Sequence, residues 1–334
     1  MSLQPSDLRF FMELLSIDST SGSERPTAEW LAARLKTPRN TVRTFEVGDG
    51  TLNVRCDWGT PRVYLCTHCD TVPPYIPPVL KDDRVEGRGT CDAKGQIFSM
   101  FLACRRLEAL GATDFGLLVL AGEETGSFGA KAYTRDCPGA DAVIVGEPTG
   151  NAMVTASKGT QAFTVRILGK PCHSGYPNLG ESAVEKFVGL MNRLRAVGFP
   201  TDPELGETTW NVGKLVSDNP QNILSPELTF RIYFRTTFAS HAAVRETMAS
   251  LAAADVEVTA HGGDDPMRYL TTGDFPRTTV SFGSDAPRLT RFARRALCGP
   301  GSITVAHTAQ EHILLADIET AADQYVEIVK TLLV

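Results

Sequence analysis

Three short apolar runs, Val63–Cys66, Leu117–Ala121 and Ala142–Val145, are each bounded by turn-forming residues. Continuous apolar runs of this length are the pattern of strands buried on both faces. Between the first two lies a stretch with helical spacing, Gln96–Leu110, closed by Gly111 at a C-cap position. Helical spacing also marks Pro5–Leu15 and Pro26–Leu35, the second opened by Ser23-Glu24-Arg25-Pro26. Strand, helix and buried strand in alternation predict an α/β fold: a mostly parallel sheet flanked by helices.

The pattern changes near Ser157. Gln161–Leu168 alternates polar and apolar residues, as a half-exposed antiparallel strand does. A helix is expected over Ser182–Ala196, alternating strands over Thr209–Val216 and Glu227–Thr237, a second helix over Ala239–Ala254 and a strand over Val256–His261. This β-α-β-β-α-β order suits a two-layer α+β (ferredoxin-like) domain with its helices on one face. Beyond Gly262-Gly263-Asp264-Asp265-Pro266 the chain returns to short buried-type runs and a closing helix, Leu315–Leu332. The expected organisation is a catalytic domain of residues 1–159 and 266–334, interrupted by an inserted domain of residues 160–265.

Composition narrows the class of function. The 334 residues carry 33 Lys and Arg against 39 Asp and Glu, a net charge of −6. That mild acidity gives no reason to expect nucleic acid or a membrane surface as partner. No apolar run approaches the length of a bilayer span, and the opening MSLQPSDLRFF lacks the layout of a secretory signal. The eight cysteines include one C-x-x-C, Cys66-Thr67-His68-Cys69, with no second half to make a zinc ribbon. Reduced thiols in a cytoplasmic protein are the expectation.

Five places join an expected strand end to a side chain able to bind metal: His68, Asp92, Glu124, Glu147 and His307. In open α/β sheets ligands bind beyond the carboxyl ends of strands, so one rim can gather them. A single histidine after a strand is more often an ordinary surface residue. Two imidazoles and three carboxylates together suit zinc, and one carboxylate can bridge two ions. Asp92, on a loop with Gly87, Gly89 and Gly95, is the natural bridge. Asp70 lies two residues from His68 and can orient its ring. Glu123 and Glu124 divide the remaining work: one holds metal, and the other takes a proton from water.

These motifs resemble those of the zinc-dependent amidohydrolases and exopeptidases that include acetylornithine deacetylase, succinyl-diaminopimelate desuccinylase, aminoacylase and carboxypeptidase G. The matching pieces are THCDTVPP (67–74), GRGTCDAKGQ (87–96), AGEETGSFGA (121–130), GEPT (146–149), KGT (158–160), HSGYPNLGESA (173–183) and GPGSITVAHTAQEHI (299–313), in the family's order over nearly the whole chain. The resemblance implies two divalent metal ions, zinc or cobalt. His68, Asp92 and Glu147 would surround one, and Glu124, Asp92 and His307 the other. It implies Glu123 as general base, Asp70 as the carboxylate that orients a ligand, and His173 as an oxyanion stabiliser reaching the other subunit of a homodimer formed through the inserted domains. Asn222 and Arg235 match residues that bind the substrate carboxylate, with Arg231 as a rival. Gly283, Ser284 and Asp285 match a substrate-contacting segment, and Lys158 a hinge whose side chain points to the cleft or to solvent. Pro226 lies one place later than the family's usual proline.

The implied activity is metal-dependent hydrolysis of the amide bond of a small N-acyl amino acid. Within the family, the compact length and the C-terminal motif most resemble the acetylornithine or acetyl-lysine deacetylase branch of arginine and lysine biosynthesis. The alternatives are a di- or tripeptide exopeptidase and a desuccinylase. A non-catalytic metal-binding module on the same scaffold would have lost ligands or base, whereas here the set is complete. A dinucleotide-binding reading of Gly87-x-Gly89 fails, because the third glycine and the preceding buried strand are missing.

Overall fold

The apolar runs of the first half become adjacent parallel strands. The structure, a computed structural model, describes residues 3–48 and 50–334. Its first elements are α1 (Pro5–Leu15), α2 (Arg25–Arg34), β1 (Thr41–Gly48), β2 (Thr51–Trp58), β3 (Val63–His68), β4 (Val79–Leu80), β5 (Arg84–Glu86), α3 (Lys94–Ala109), β6 (Phe115–Leu120), α4 (Phe128–Asp136), β7 (Ala142–Val145) and β8 (Met153–Ser157). There follow β9 (Gly159–Leu168), α5 (Ala183–Ala196), β10 (Thr209–Val216), β11 (Glu227–Thr236), α6 (His241–Ser250) and β12 (Val256–Ala260). The chain closes with β13 (Met267–Arg268), β14 (Arg277–Val280), β15 (Arg294–Leu297), β16 (His312–Leu314) and α7 (Leu315–Leu333). Two compact units result: residues 1–155, 269–278 and 284–334 in one, and residues 156–268 and 279–283 in the other.

The first unit is built on a six-stranded sheet of order β1-β2-β6-β3-β7-β15. The pairs β3/β6, β3/β7 and β7/β15 are parallel, while β1/β2 and β2/β6 are antiparallel. Alternate residues of β3 serve opposite faces. Val63 and Leu65 join a core with Ile97, Met100 and Tyr325 of α3 and α7. Tyr64 points the other way, with Tyr133 of α4 and Phe292 within aromatic contact. Both faces are covered, which is why β3 reads as an unbroken apolar run. Truncating Leu65 to Ala in such a core typically costs about 2–5 kcal/mol. Helix α3 ends as the sequence suggests: Gly111 takes φ +73, and its N–H and that of Ala112 bond back to Glu108 and Leu107.

The second unit is an antiparallel sheet of order β10-β11-β9-β12. Phe163, Val165 and Ile167 of β9 and Phe230, Ile232 and Phe234 of β11 pack against Leu190 and Met191 of α5 and Val244 and Met248 of α6. The opposite face carries Arg231, Tyr233 and Arg235, with the Arg235 guanidinium 5.0 Å from the Tyr233 ring centre.

Three details differ from the sequence reading. The β1/β2 hairpin was not anticipated. Helix α6 covers only His241–Ser250 of the expected Ala239–Ala254. The run before His307 is a series of turns with no strand, and His307 itself has φ +62. Among the described residues no helix is long and apolar enough to cross a membrane.

Candidate metal centre and active site

Parallel register brings three chain segments to one edge of the first unit. His68 ends β3 opposite Leu120, the last residue of β6. Cys66 pairs with Val145 at the end of β7. Glu123 and Glu124 follow β6, and Glu147 follows β7, so all three leave the sheet at its carboxyl rim. Gly122, at φ +68, makes the turn that takes the chain from β6 into the glutamate pair, a conformation that glycine adopts without penalty. Asp92 comes from the loop before α3, and its peptide bond to Ala93 is cis. Asp92 and His307 therefore reach the site from loops, not from strand ends.

Asp92 stands between two histidines. Its Oδ1 lies 3.0 Å from His68 Nε2, and its Oδ2 lies 3.2 Å from His307 Nε2. The same His307 nitrogen is 2.9 Å from Glu124 Oε1. Ligand atoms of His68, Asp92 and Glu124 all fall within 4.8 Å of one another. Glu147 is buried at 4% exposure, and its Oε1 has no hydrogen-bond partner. A buried carboxylate oxygen without a donor is costly unless a cation completes it. The donor set of two imidazoles and several carboxylates fits a divalent metal such as zinc. The residues present therefore fit such an ion, with His68, Asp92, Glu124, Glu147 and His307 as the available ligands.

Asp70 organises the other side. Its carboxylate accepts N–H bonds from Glu123 at 3.0 Å and Glu124 at 3.2 Å, and the Ser21 hydroxyl at 2.7 Å. The His68 Nδ1 contact is made first by the backbone carbonyl of Asp70, at 3.0 Å, and then by Oδ1, at 3.4 Å. An acceptor on Nδ1 leaves Nε2 free to face Asp92.

The electrostatics follow from this crowding. Burial, with Asp285, Glu124 and Asp92 nearby, pushes the Glu123 carboxyl well above its ordinary range, though His68 opposes the shift. Burial does the same to Glu147, again against His68. Burial alone would raise Asp92, but His307 and His68 hold it below the usual carboxylate range. Burial would likewise raise Asp70, and the bonds from His68, Ser21 and Glu123 reverse it. Bonds to Asp92 and Glu124 lift His307 to about 10.

The remaining candidates divide between the two units. Ser284 is buried in the first unit, and its Oγ accepts the Ala286 N–H at 3.3 Å. Gly283 belongs to the second unit and is exposed. His173, Asn222 and Arg235 are also in the second unit. His173 is exposed, its Nδ1 accepts the Gly175 N–H at 3.0 Å, and it forms a backbone bridge with Ile223. The Asn222 carbonyl accepts the Ser174 N–H at 2.8 Å. Lys158 is buried, not solvated, and donates to the Glu207 carbonyl at 2.5 Å.

Of three buried charges near the site, the sequence reading gives Arg88 and Glu311 no role and takes Asp285 only as part of the substrate-contacting segment. Asp285 follows the selected Ser284, is 1% exposed and has no hydrogen-bond partner on either oxygen. Arg88 and Glu311 lie inside motifs already quoted, yet nothing in their spacing marks them as a pair.

Comparison with known proteins is consistent with this geometry. The profile of Peptidase family M20/M25/M40 matches residues 64–331. A probable carboxypeptidase of Aspergillus fumigatus is 32% identical over an alignment of 385 positions, spanning 98% of this chain and 86% of that protein. Among solved structures, a tripeptidase from Staphylococcus aureus superposes with a TM-score of 0.80 at 21% identity, covering 98% of this chain and 97% of the other. The aminopeptidase PepT of Bacillus cereus gives 0.79 at 22% identity, with 98% of each chain covered. At these identities the two structures speak for the fold.

Proposed function

We propose that this chain, which belongs to Peptidase family M20/M25/M40 and is a hydrolase of that family, cleaves the amide bond that joins a small acyl or peptidyl group to an amino acid bearing a free carboxylate. The observation that carries the reading is Asp92 set between His68 and His307, with Glu124 on the second histidine and Glu123 beside it. His68, Asp92, Glu147, Glu124 and His307 would hold two divalent ions, zinc or cobalt, with Asp92 shared. Bound metal would polarise the scissile carbonyl and make water a stronger acid.

The protein's own groups supply the rest. Glu123 takes the proton of the attacking water, whose oxygen bonds to the carbonyl carbon. As the C–N bond breaks, the same carboxyl returns that proton to the leaving amine. Glu123 thus serves as base toward the water and, once protonated, as acid toward the leaving amine. Asp70 fixes the loop from which Glu123 projects. By resemblance, Arg235 with Asn222 takes the substrate carboxylate, a planar anion that a guanidinium matches, and Gly283 and Ser284 line the substrate's path.

Two substrates share this chemistry. Removal of the acetyl group from N-acetylornithine or N-acetyl-lysine is the reading that the C-terminal motif favours. Release of a C-terminal amino acid from a short peptide is favoured by the relatives described as carboxypeptidases, and we place it first. By resemblance the protein is a homodimer formed through residues 160–265. The largely apolar groove of Phe187, Met191, Trp210 and Val212, which Arg195 and Asn211 also line, beside β10, an edge strand of the second unit, supports that assembly.

A substrate panel tests the function. N-acetyl and N-succinyl amino acids, dipeptides, tripeptides and N-blocked dipeptides are each assayed after loading with zinc, cobalt or manganese. Release of a C-terminal amino acid from N-blocked dipeptides at a rate well above that of N-acetylornithine supports the first reading; the reverse ranking supports deacetylation. No amide hydrolysis on any member with any metal sinks both.

A further inference from the structure

Arg88 and Glu311 are 223 residues apart, and their side chains are 3% and 0% exposed. Arg88 Nη1 donates to Glu311 Oε2 at 2.5 Å. The other carboxylate oxygen, Oε1, accepts the backbone N–H of Cys91 and of Asp92, each at 3.1 Å. The guanidinium also donates to the Thr308 carbonyl and the Pro74 carbonyl, both at 3.3 Å. The Glu311 carbonyl accepts the Gly87 N–H at 3.0 Å. One ion pair thus touches three loops: the one after His68 and Asp70, the one carrying Asp92, and the one carrying His307.

Burying such a pair is expensive, and its desolvation cost often equals what the attraction returns. A well-packed apolar pair would hold the loops together as stably. It would not hold them in one geometry, because it offers no directed bonds to the Asp92 N–H or the Thr308 carbonyl. His307 sits in a run of turns at φ +62, with no strand or helix to set its direction. Its neighbour Thr308 is tied to Arg88, and Arg88 through Glu311 is tied to Asp92.

We propose that the Arg88–Glu311 pair is a positioning clamp that sets Asp92 and His307 at the spacing a shared pair of metal ions requires, so that losing it weakens uptake of the second ion more than it weakens the fold. The proposal rests on the metal-centre reading above. Outer partners of this kind typically contribute 10–100-fold to metal affinity.

The test is a cobalt titration of the metal-free protein, followed by calorimetry and by visible absorption of the bound ion. Wild type, Arg88→Met, Arg88→Lys and Glu311→Gln are compared, with the thermal midpoint of each metal-free protein recorded alongside. Two cobalt ions are expected on wild type. Arg88→Met and Glu311→Gln are expected to bind the second ion about 10–100-fold more weakly, with altered visible bands. Arg88→Lys keeps the charge but cannot fork to two carbonyls, so an intermediate loss is expected; it carries the test alone should the other two not fold. Variants that take up two ions with wild-type affinity and spectrum, whatever their thermal midpoint, overturn the clamp. Wild type that takes up no cobalt overturns the metal-centre reading itself.

Discussion

The carboxylate of Asp70 holds the backbone of Glu123, accepting its N–H on Oδ1 at 3.0 Å while Oδ2 accepts the N–H of Glu124 at 3.2 Å. One buried side chain thereby fixes two adjacent glutamates whose own side chains have different surroundings. Glu124 reaches His307, whereas Glu123 has its carboxyl pushed upward by burial. In Asp70→Asn one oxygen would remain to accept, and the new NH2 would face the other N–H. A loss of about 10–100-fold in metal affinity or kcat/KM is expected, as for other residues that orient ligands. Unchanged metal binding and turnover would remove Asp70 from the mechanism.

The two glutamates separate by substitution. Glu123→Ala is expected to keep the metal content of the wild type and to lose about 10²–10⁴-fold in kcat, the usual share of a general base. Glu124→Gln is expected to lose metal first and activity as a result. Metal analysis by atomic emission beside steady-state kinetics reads both. If Glu123→Ala is the variant that loses an ion, the roles are reversed.

The parts legible in the sequence are those where burial and periodicity agree. Strands β3, β6 and β7 read correctly because both faces of each are covered, and α3 because Gly111 closes it. Strand β2 is just as buried, yet TLNVRCDW hides it behind polar residues. Asn53 bonds the Gly129 carbonyl and the Ala121 N–H, and Arg55 and Tyr64 both bond Asp57. Polar side chains satisfied by distant partners break the apolar pattern without breaking the strand. His307 was found from its residue type and motif, while its backbone setting was missed, because a left-handed turn residue leaves no periodic trace. Arg88 and Glu311 show the same limit for pairs: each is an ordinary loop charge until the fold brings them together.

Stability of the metal-free protein should carry the signature of Asp285. Burial raises its carboxyl from 3.8 to about 7, with His68 opposing. A group raised in the folded state adds stability below its unfolded value, and that stability is lost as pH rises through about 7. A gap of this size corresponds to a few kcal/mol, on the order of 1.4 per unit. Asp285→Asn removes the loss, although a buried amide without partners itself costs about 1–3 kcal/mol. The readout is therefore the change between pH values: relative to wild type, the variant's thermal midpoint in chelator should rise between pH 4 and pH 8. A constant offset across that range would mean that Asp285 does not ionise where expected.

His173 offers the sharpest test of assembly. The Gly175 N–H donates to its Nδ1, which leaves Nε2 as the nitrogen that carries the ring proton. The exposed side chain then presents an Nε2–H donor, the group an oxyanion needs. His173→Ala should keep fold and metal and lose about 10²–10³-fold in kcat, the usual effect of deleting one such donor. If the donor serves the neighbouring subunit, two inactive variants can rescue each other. In a mixed dimer of His173→Ala and Glu123→Ala chains, the first chain keeps Glu123 and borrows the intact His173 of its partner. Dissociating the two proteins together and reassociating them at equal amounts yields mixed dimers as half the population, each with one competent site, so roughly one quarter of wild-type activity should return. Separate reassociation of each variant is the control and should return none. Mixed dimers confirmed by mass that stay inactive would place His173 with its own chain's chemistry, whereas a His173→Ala protein that keeps wild-type kcat by itself would place His173 outside the chemistry altogether.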